Sequence, residues 1–340
     1  MPALTALQRD RLRLYLRIVA VSTAIGALYG TFLSRSGLSL STSVGLGALN
    51  GAGIAASIGA IEIFLLREGS SLKRLVQLPF IAVVLLKTAV YAAIVALFIV
   101  GLPALAQAER LGGHAGLVAI GFSLAMTLVI VVVLQAAGLL GRRTFVNLVL
   151  GRYRRPRAER RFFLFVDVVG STAIAERLGA MQAHRFLAAV FSATAEAVAA
   201  ARGEVYQYVG DEIVVTWTEA DGLPGARPLH CLMQMRAALA AAAPDFRARF
   251  GAEPELRAAL HLGEVIAGEV GEQRRAIVYH GDVMNTASRL EQATRDAAVR
   301  FIVSDAALSA LRRPEGFSYR DLGELDLRGR RQAIRAWAVE

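Results

Sequence analysis

Four apolar stretches, roughly residues 16–34, 43–66, 76–102 and 116–140, decide what the first part of this chain can become. Only nine charged residues interrupt the 123 positions from 18 to 140. Each stretch supplies the ~20 apolar residues that a helix needs to cross ~30 Å of hydrocarbon. The fourth, GLVAIGFSLAMTLVIVVVLQAAGLL, is the clearest, whereas the first is short and broken by Gly26 and Gly30. Residues 1–140 therefore read as an α-helical membrane domain with four transmembrane helices.

The charges orient those helices. Arg9, Arg11, Arg13 and Arg17 precede the first span, and Arg67, Lys73 and Arg74 lie between the second and third. Arg142, Arg143, Arg152, Arg154, Arg155 and Arg157 follow the fourth, while the other two loops carry only Arg35 and Arg110. Positive residues concentrate on the cytoplasmic side, so both ends of the domain, and everything after it, are expected in the cytoplasm. The expected location is a multi-pass protein of the inner (plasma) membrane. No small-residue cleavage site follows the first span, which reads as an anchor and not a removed signal.

Residues 1–157 hold 16 Lys and Arg against 4 Asp and Glu, a net charge of +12. Residues 158–340 hold 22 Arg against 24 Asp and Glu, a net charge of −2. The basic excess thus sits beside the apolar segments, where a lipid bilayer with anionic headgroups explains it. The second half has no broad basic face, which excludes nucleic acid as a partner. One cysteine, Cys231, excludes a disulfide framework and suits a reducing compartment.

Two charges fall inside the spans. Glu62 lies near the cytoplasmic end of span two and Lys87 deeper in span three, so a snorkelling Lys87 can reach Glu62 across the hairpin. A neutralised pair locking the hairpin is the plain reading, and a sensor or ion site the sharper one. Gly45, Gly47, Gly51, Gly53 and Gly59 in span two read as close helix packing. Residues 141–157 form a basic helical linker, in which Phe145, Leu148 and Val149 have helical spacing and Gly151 and Pro156 end the helix.

Past the linker, the apolar run Arg161–Asp167 reads as a strand ending in an acid, followed at once by Gly170-Ser171-Thr172 and a helix. A carboxylate beside phosphate-binding backbone N–H groups suits a metal–phosphate site. Residues 204–217 read as a hairpin whose Gly210-Asp211 turn presents an acid. A helix then starts at Asp282 with Asn285 and Arg289 on one face. The expected elements are strand 161–167, helix 175–201, hairpin 204–217, helix 228–249, strands 256–264 and 275–279, and helix 282–295.

In this order, Phe165-Val166-Asp167-Val168-Val169-Gly170-Ser171-Thr172, Tyr208-Val209-Gly210-Asp211-Glu212, and Gly281-Asp282 leading to Asn285 and Arg289 resemble the catalytic domain of class III adenylyl and guanylyl cyclases. The resemblance implies an α+β ferredoxin-like (βαββαβ) domain over 158–340, an antiparallel sheet covered on one face by helices. It implies a homodimer through that domain, with active sites in the shared cleft. It also implies two divalent metal ions per site, Mg²⁺ or Mn²⁺, bound by Asp167 and Asp211 with Val168. Asn285 would orient the ribose, and Arg289 from the other subunit would stabilise the transition-state phosphate. Gly170, Ser171 and Thr172 would contact the nucleotide, and Arg328 and Arg330 sit near where the family places a phosphate-binding lysine.

The chain departs from the family where the base is read. The usual lysine four residues before the hairpin Asp is Gln207, and the usual polar residue seven before the Asn is Val278. One Gln amide pairs with adenine and, turned over, with guanine. ATP is the expected substrate and GTP stays open. The expected function is a membrane-anchored adenylate cyclase making 3′,5′-cyclic AMP and pyrophosphate. The alternatives are a guanylate cyclase and a catalytically degenerate nucleotide-binding receptor. A diguanylate cyclase is disfavoured, because that enzyme has no use for the Asn285/Arg289 helix.

Overall fold

The computed structural model describes residues 6–33, 39–62, 79–101, 113–272, 275–327 and 333–340. The chain divides into two compact units, Met1–Leu140 and Gly141–Glu340. The flanking charges Arg35, Arg67, Lys73, Arg74 and Arg110 lie outside the described residues, as do Arg328 and Arg330.

The apolar stretches of the first unit are helical: α1 (Ala6–Leu33), α2 (Leu40–Ala60), α3 (Phe80–Ala96, prolonged by a π-helical turn over Leu97–Gly101) and α4 (Gly113–Leu140). Three helices are long and apolar enough to cross a membrane, or four when α4 is counted with the helix after it. Helices α1 and α2 meet backbone to backbone. A Cβ on Gly26 would strike the carbonyl oxygen of Gly47, one on Gly30 that of Ser43, and one on Gly51 that of Ser22. Of the remaining span-two glycines, Gly53 lies against Phe98 and Gly59 against Tyr15, while Gly45 faces open space.

Gly47→Leu is therefore expected to cost about 1–3 kcal/mol through overpacking. Gly45→Leu should stay near the parent. The comparison is read as melting temperature in detergent, and equal shifts for the two would overturn it.

Glu62 and Lys87 do meet. Lys87 Nζ donates to both Glu62 oxygens at 2.8 and 2.9 Å. The Tyr91 hydroxyl, a partner that the sequence reading did not anticipate, donates to Glu62 Oε1 at 2.7 Å. Lys87 and Tyr91 are both buried. All of the lysine's charge is thus met inside the unit, as a structural lock requires.

In the second unit, helix α5 (Arg142–Val149) precedes strand β1 (Arg157–Val168). Along β1, Phe162, Leu164, Val166 and Val168 point to one face of the sheet, and Phe163, Phe165 and Asp167 to the other. Apolar residues on both faces suit a central strand. β1 lies between β3 (Glu212–Thr218) and β4 (Leu256–Val270), with β2 (Glu204–Val209) outside β3. Each neighbouring pair among these four strands is antiparallel. With α6 (Ser171–Leu178) and α7 (Ala180–Ala200) after β1, and α8 (Arg227–Phe250) after β3, they form the βαββαβ ferredoxin-like core.

Three features differ from the sequence reading. Residues 175–201 are not one helix: Gly179, at φ +75°, separates α6 from α7. The helices do not keep to one face, because Phe163 and Phe165 also need cover. Helix α9 (Asp282–Asp296) provides it with Val283 and Ala287, joined by Tyr279 of β5 (Ala276–His280). The whole sheet is mixed, since β6 (Phe301–Ser304) pairs parallel to β4. Strands β7 (Tyr319–Leu325) and β8 (Ile334–Val339), with the short helix α10 (Asp305–Ala310), complete the unit. The linker is part of this packing: Tyr153 is buried and Leu148 packs beside it.

Candidate active site

Two acids converge because β1 and the β2–β3 hairpin end at the same edge of the core. Asp167 pairs across the sheet with Glu212, so the turn residue Asp211 comes within hydrogen-bonding reach of Asp167. The Ser171 hydroxyl, at the start of α6, donates to Asp211. Gly170 takes the left-handed conformation, φ +69°, that lets the chain turn from strand to helix. Val168 points into the core on the opposite face, which leaves only its backbone to the site.

Two arginines answer these carboxylates. Arg257 on β4 donates to Asp167 Oδ2 at 2.6 Å, and Arg295 at the end of α9 approaches the same oxygen at 3.5 Å. Arg257 Nε also stands 3.3 Å from Glu291, which is buried. Negative charge still predominates. Burial raises the Asp167 pKa, and Asp211 adds to that, against the pull of Arg257. Glu212 is pushed up to about 7 by burial and by Glu291, Asp167 and Asp211. Sequence reasoning missed Arg257, Arg295, Glu212 and Glu291. The one available signal was Glu212, the single charge in β3, at its head.

Among the described residues no three of His, Cys, Asp or Glu form a ready metal cage. The pair Asp167–Asp211 nonetheless fits a hard divalent cation, which takes few carboxylates and completes its shell with water and phosphate oxygens. Facing carboxylates that raise one another's pKa gain from such a cation directly.

Asn285 and Arg289 are not brought to Asp167 by their own chain. Glu291 and Arg295 are the α9 residues that face it, and at ~100° per residue they lie roughly 120° around the helix from Asn285 and Arg289. Asn285 is exposed and Arg289 half-buried, and neither makes a hydrogen bond or ion pair among the described residues. Of the two positions expected to read the base, Gln207 lies on the Asp167 face, whereas Val278 alternates with Ile277 and Tyr279, which pack there, and so points to the other face. Gln207 pairs with Val214, which shares that face with Phe165. Tyr206, before Gln207, and Tyr279, after Val278, bring their rings to 5.0 Å.

The family described as the adenylate and guanylate cyclase catalytic domain matches residues 156–340. Adenylate cyclase 2 of Rhizobium meliloti is 38% identical over 213 residues, which cover 63% of this chain and 59% of that protein. A receptor-type guanylate cyclase of Caenorhabditis elegans is 27% identical over 177 residues, 51% of this chain and 13% of its own length. Among solved structures, a bacterial light-regulated adenylyl cyclase superposes with a TM-score of 0.54 at 19% identity, over 64% of each chain. That likeness speaks for the fold.

Proposed function

This chain belongs to the family of adenylate and guanylate cyclase catalytic domains, and from that premise we propose that it is a membrane-anchored adenylate cyclase working as a homodimer. The observation that carries the reading is the convergence of Asp167 and Asp211 while Asn285 and Arg289 stand apart on another side of α9. A single chain holds two half-sites, and a second copy completes both.

Asp167 and Asp211 would hold two Mg²⁺ or Mn²⁺ ions, which supply activation of the ribose 3′-hydroxyl and neutralisation of the triphosphate. The remaining work falls to side chains and backbone. The N–H groups of Gly170, Ser171 and Thr172, at the start of α6, offer donors to phosphate oxygens. Arg257 balances Asp167 in the absence of substrate and is placed to turn toward phosphate. Asn285 of the partner copy orients the ribose, so that its 3′-oxygen attacks the α-phosphorus and pyrophosphate leaves. Arg289 of that copy meets the charge that develops on the α-phosphate. Gln207 pairs with the adenine edge, and Val278 contributes shape.

The apolar helices of the first unit support an enzyme of the inner membrane, and the flanking arginines support an N-terminus and catalytic unit on the cytoplasmic side. The adenylate cyclase relative supports ATP. Membranes carrying the full chain, given Mn²⁺ and either ATP or GTP, are expected to yield cyclic AMP by mass. Cyclic GMP alone would overturn the base assignment. No cyclic product from either nucleotide would overturn catalysis in favour of a binding module.

A further inference from the structure

Arg161, on central strand β1, is among the largest fully buried side chains, only 1% exposed. Its guanidinium donates to Glu159 and Glu204, each at 3.0 Å, and to the Thr216 hydroxyl at 3.2 Å. The linker joins the same cluster, for Tyr153 donates to Glu159 at 3.0 Å. On its open face the guanidinium lies 4.7 Å from the centroid of the Tyr279 ring. Tyr279 packs edge-on against Phe163 at 5.5 Å and meets Tyr206 at 5.0 Å.

Burying a guanidinium is costly, and an apolar side chain of similar volume would fill this space as well. What an apolar residue lacks is a fixed orientation and an attraction for an aromatic face. The ring held this way adjoins the two positions assigned to the base. Tyr279 follows Val278 on β5 and Tyr206 precedes Gln207 on β2, where the strand bulges between Val205 and Gln207. β2 and β5 are not hydrogen-bonded to each other, and the two rings bridge them.

We infer that Arg161 is a positioning residue of the nucleobase site: through the Tyr279–Tyr206 ring pair it sets the separation of Gln207 and Val278. The inference rests on the proposed reading that those two residues flank the base. It assigns base discrimination to a buried charge that never touches the nucleotide.

The test uses the full chain in membranes and compares Arg161→Met, Tyr279→Leu, Tyr206→Leu and Tyr279→Phe with the parent. The three variants that break the ring chain are expected to shift the ATP-to-GTP ratio of kcat/KM by about tenfold, mainly through KM. Tyr279→Phe keeps the ring over Arg161 and should keep the parent ratio. Arg161→Met carries the largest risk to folding, so the tyrosine variants decide. A dimeric Tyr279→Leu with parental melting temperature and an unchanged ratio would overturn the inference. A parent chain that binds nucleotide without turnover would overturn the proposed activity alone, and the ratio of ATP to GTP dissociation constants then replaces the kinetic ratio. A parent that binds neither nucleotide would overturn both.

Discussion

Asp211→Asn is expected to lower cyclic nucleotide formation by about a thousandfold, or about 4 kcal/mol of transition-state stabilisation, while leaving the fold at least as stable as the parent. The stability half follows from local charge. Asp167, Asp211, Glu212 and Glu291 share one edge of the sheet and are answered by Arg257 and Arg295. Among these acids Asp211 is met by the Ser171 hydroxyl, whose hydrogen bond an Asn oxygen accepts equally well. Removing its charge relieves repulsion at little packing cost, a stability–function trade of the kind active sites make.

A second readout separates metal binding from chemistry. Mn²⁺ at a hundredfold its dissociation constant should stabilise the parent by about 2.7 kcal/mol. For a unit of this size that is about 5 °C or more in melting temperature. The Asn variant should lose most of that shift. Retained activity, or an equal Mn²⁺ shift in both proteins, would remove Asp211 from the metal site.

What the sequence made legible here were local signals. A strand ending at Asp167, a two-residue turn presenting Asp211, and a helix starting at Asp282 with Asn285 and Arg289 can each be read from a window of ten residues. The Glu62–Lys87 pair was legible for another reason: an isolated charge in an apolar span has few places to go. Pairing across long separations was not. Arg257 reaches Asp167 across 90 positions, and nothing in its own strand announces that partner. Arg161 opened an apolar run and drew no reading of its own, yet β1 begins four residues before it and buries it. The break at Gly179 was hidden by helix-forming residues on both sides. Strands β6 to β8 were missed because β6 is four residues long and β7 carries an irregularity between Asp321 and Gly323.

Two variants that are each inactive should restore activity when combined. Asp167→Ala removes the metal side of a site, and Arg289→Ala removes the residue that the partner lends to it. In a mixed dimer, one site receives Asp167 from the second chain and Arg289 from the first, and is intact. The other site carries both defects. Equal co-expression gives mixed dimers in half of the population, each with one working site of two, so activity should return to about a quarter of the parent. The geometry of α9 is the reason to expect this. Glu291 and Arg295 already occupy the side facing Asp167, and the helix cannot turn Asn285 and Arg289 toward the same carboxylate without withdrawing them. If all catalytic groups acted within one chain, the mixture would remain as inactive as either variant alone. Assayed with membranes carrying both chains at matched levels, that single comparison distinguishes a shared site from a self-sufficient one.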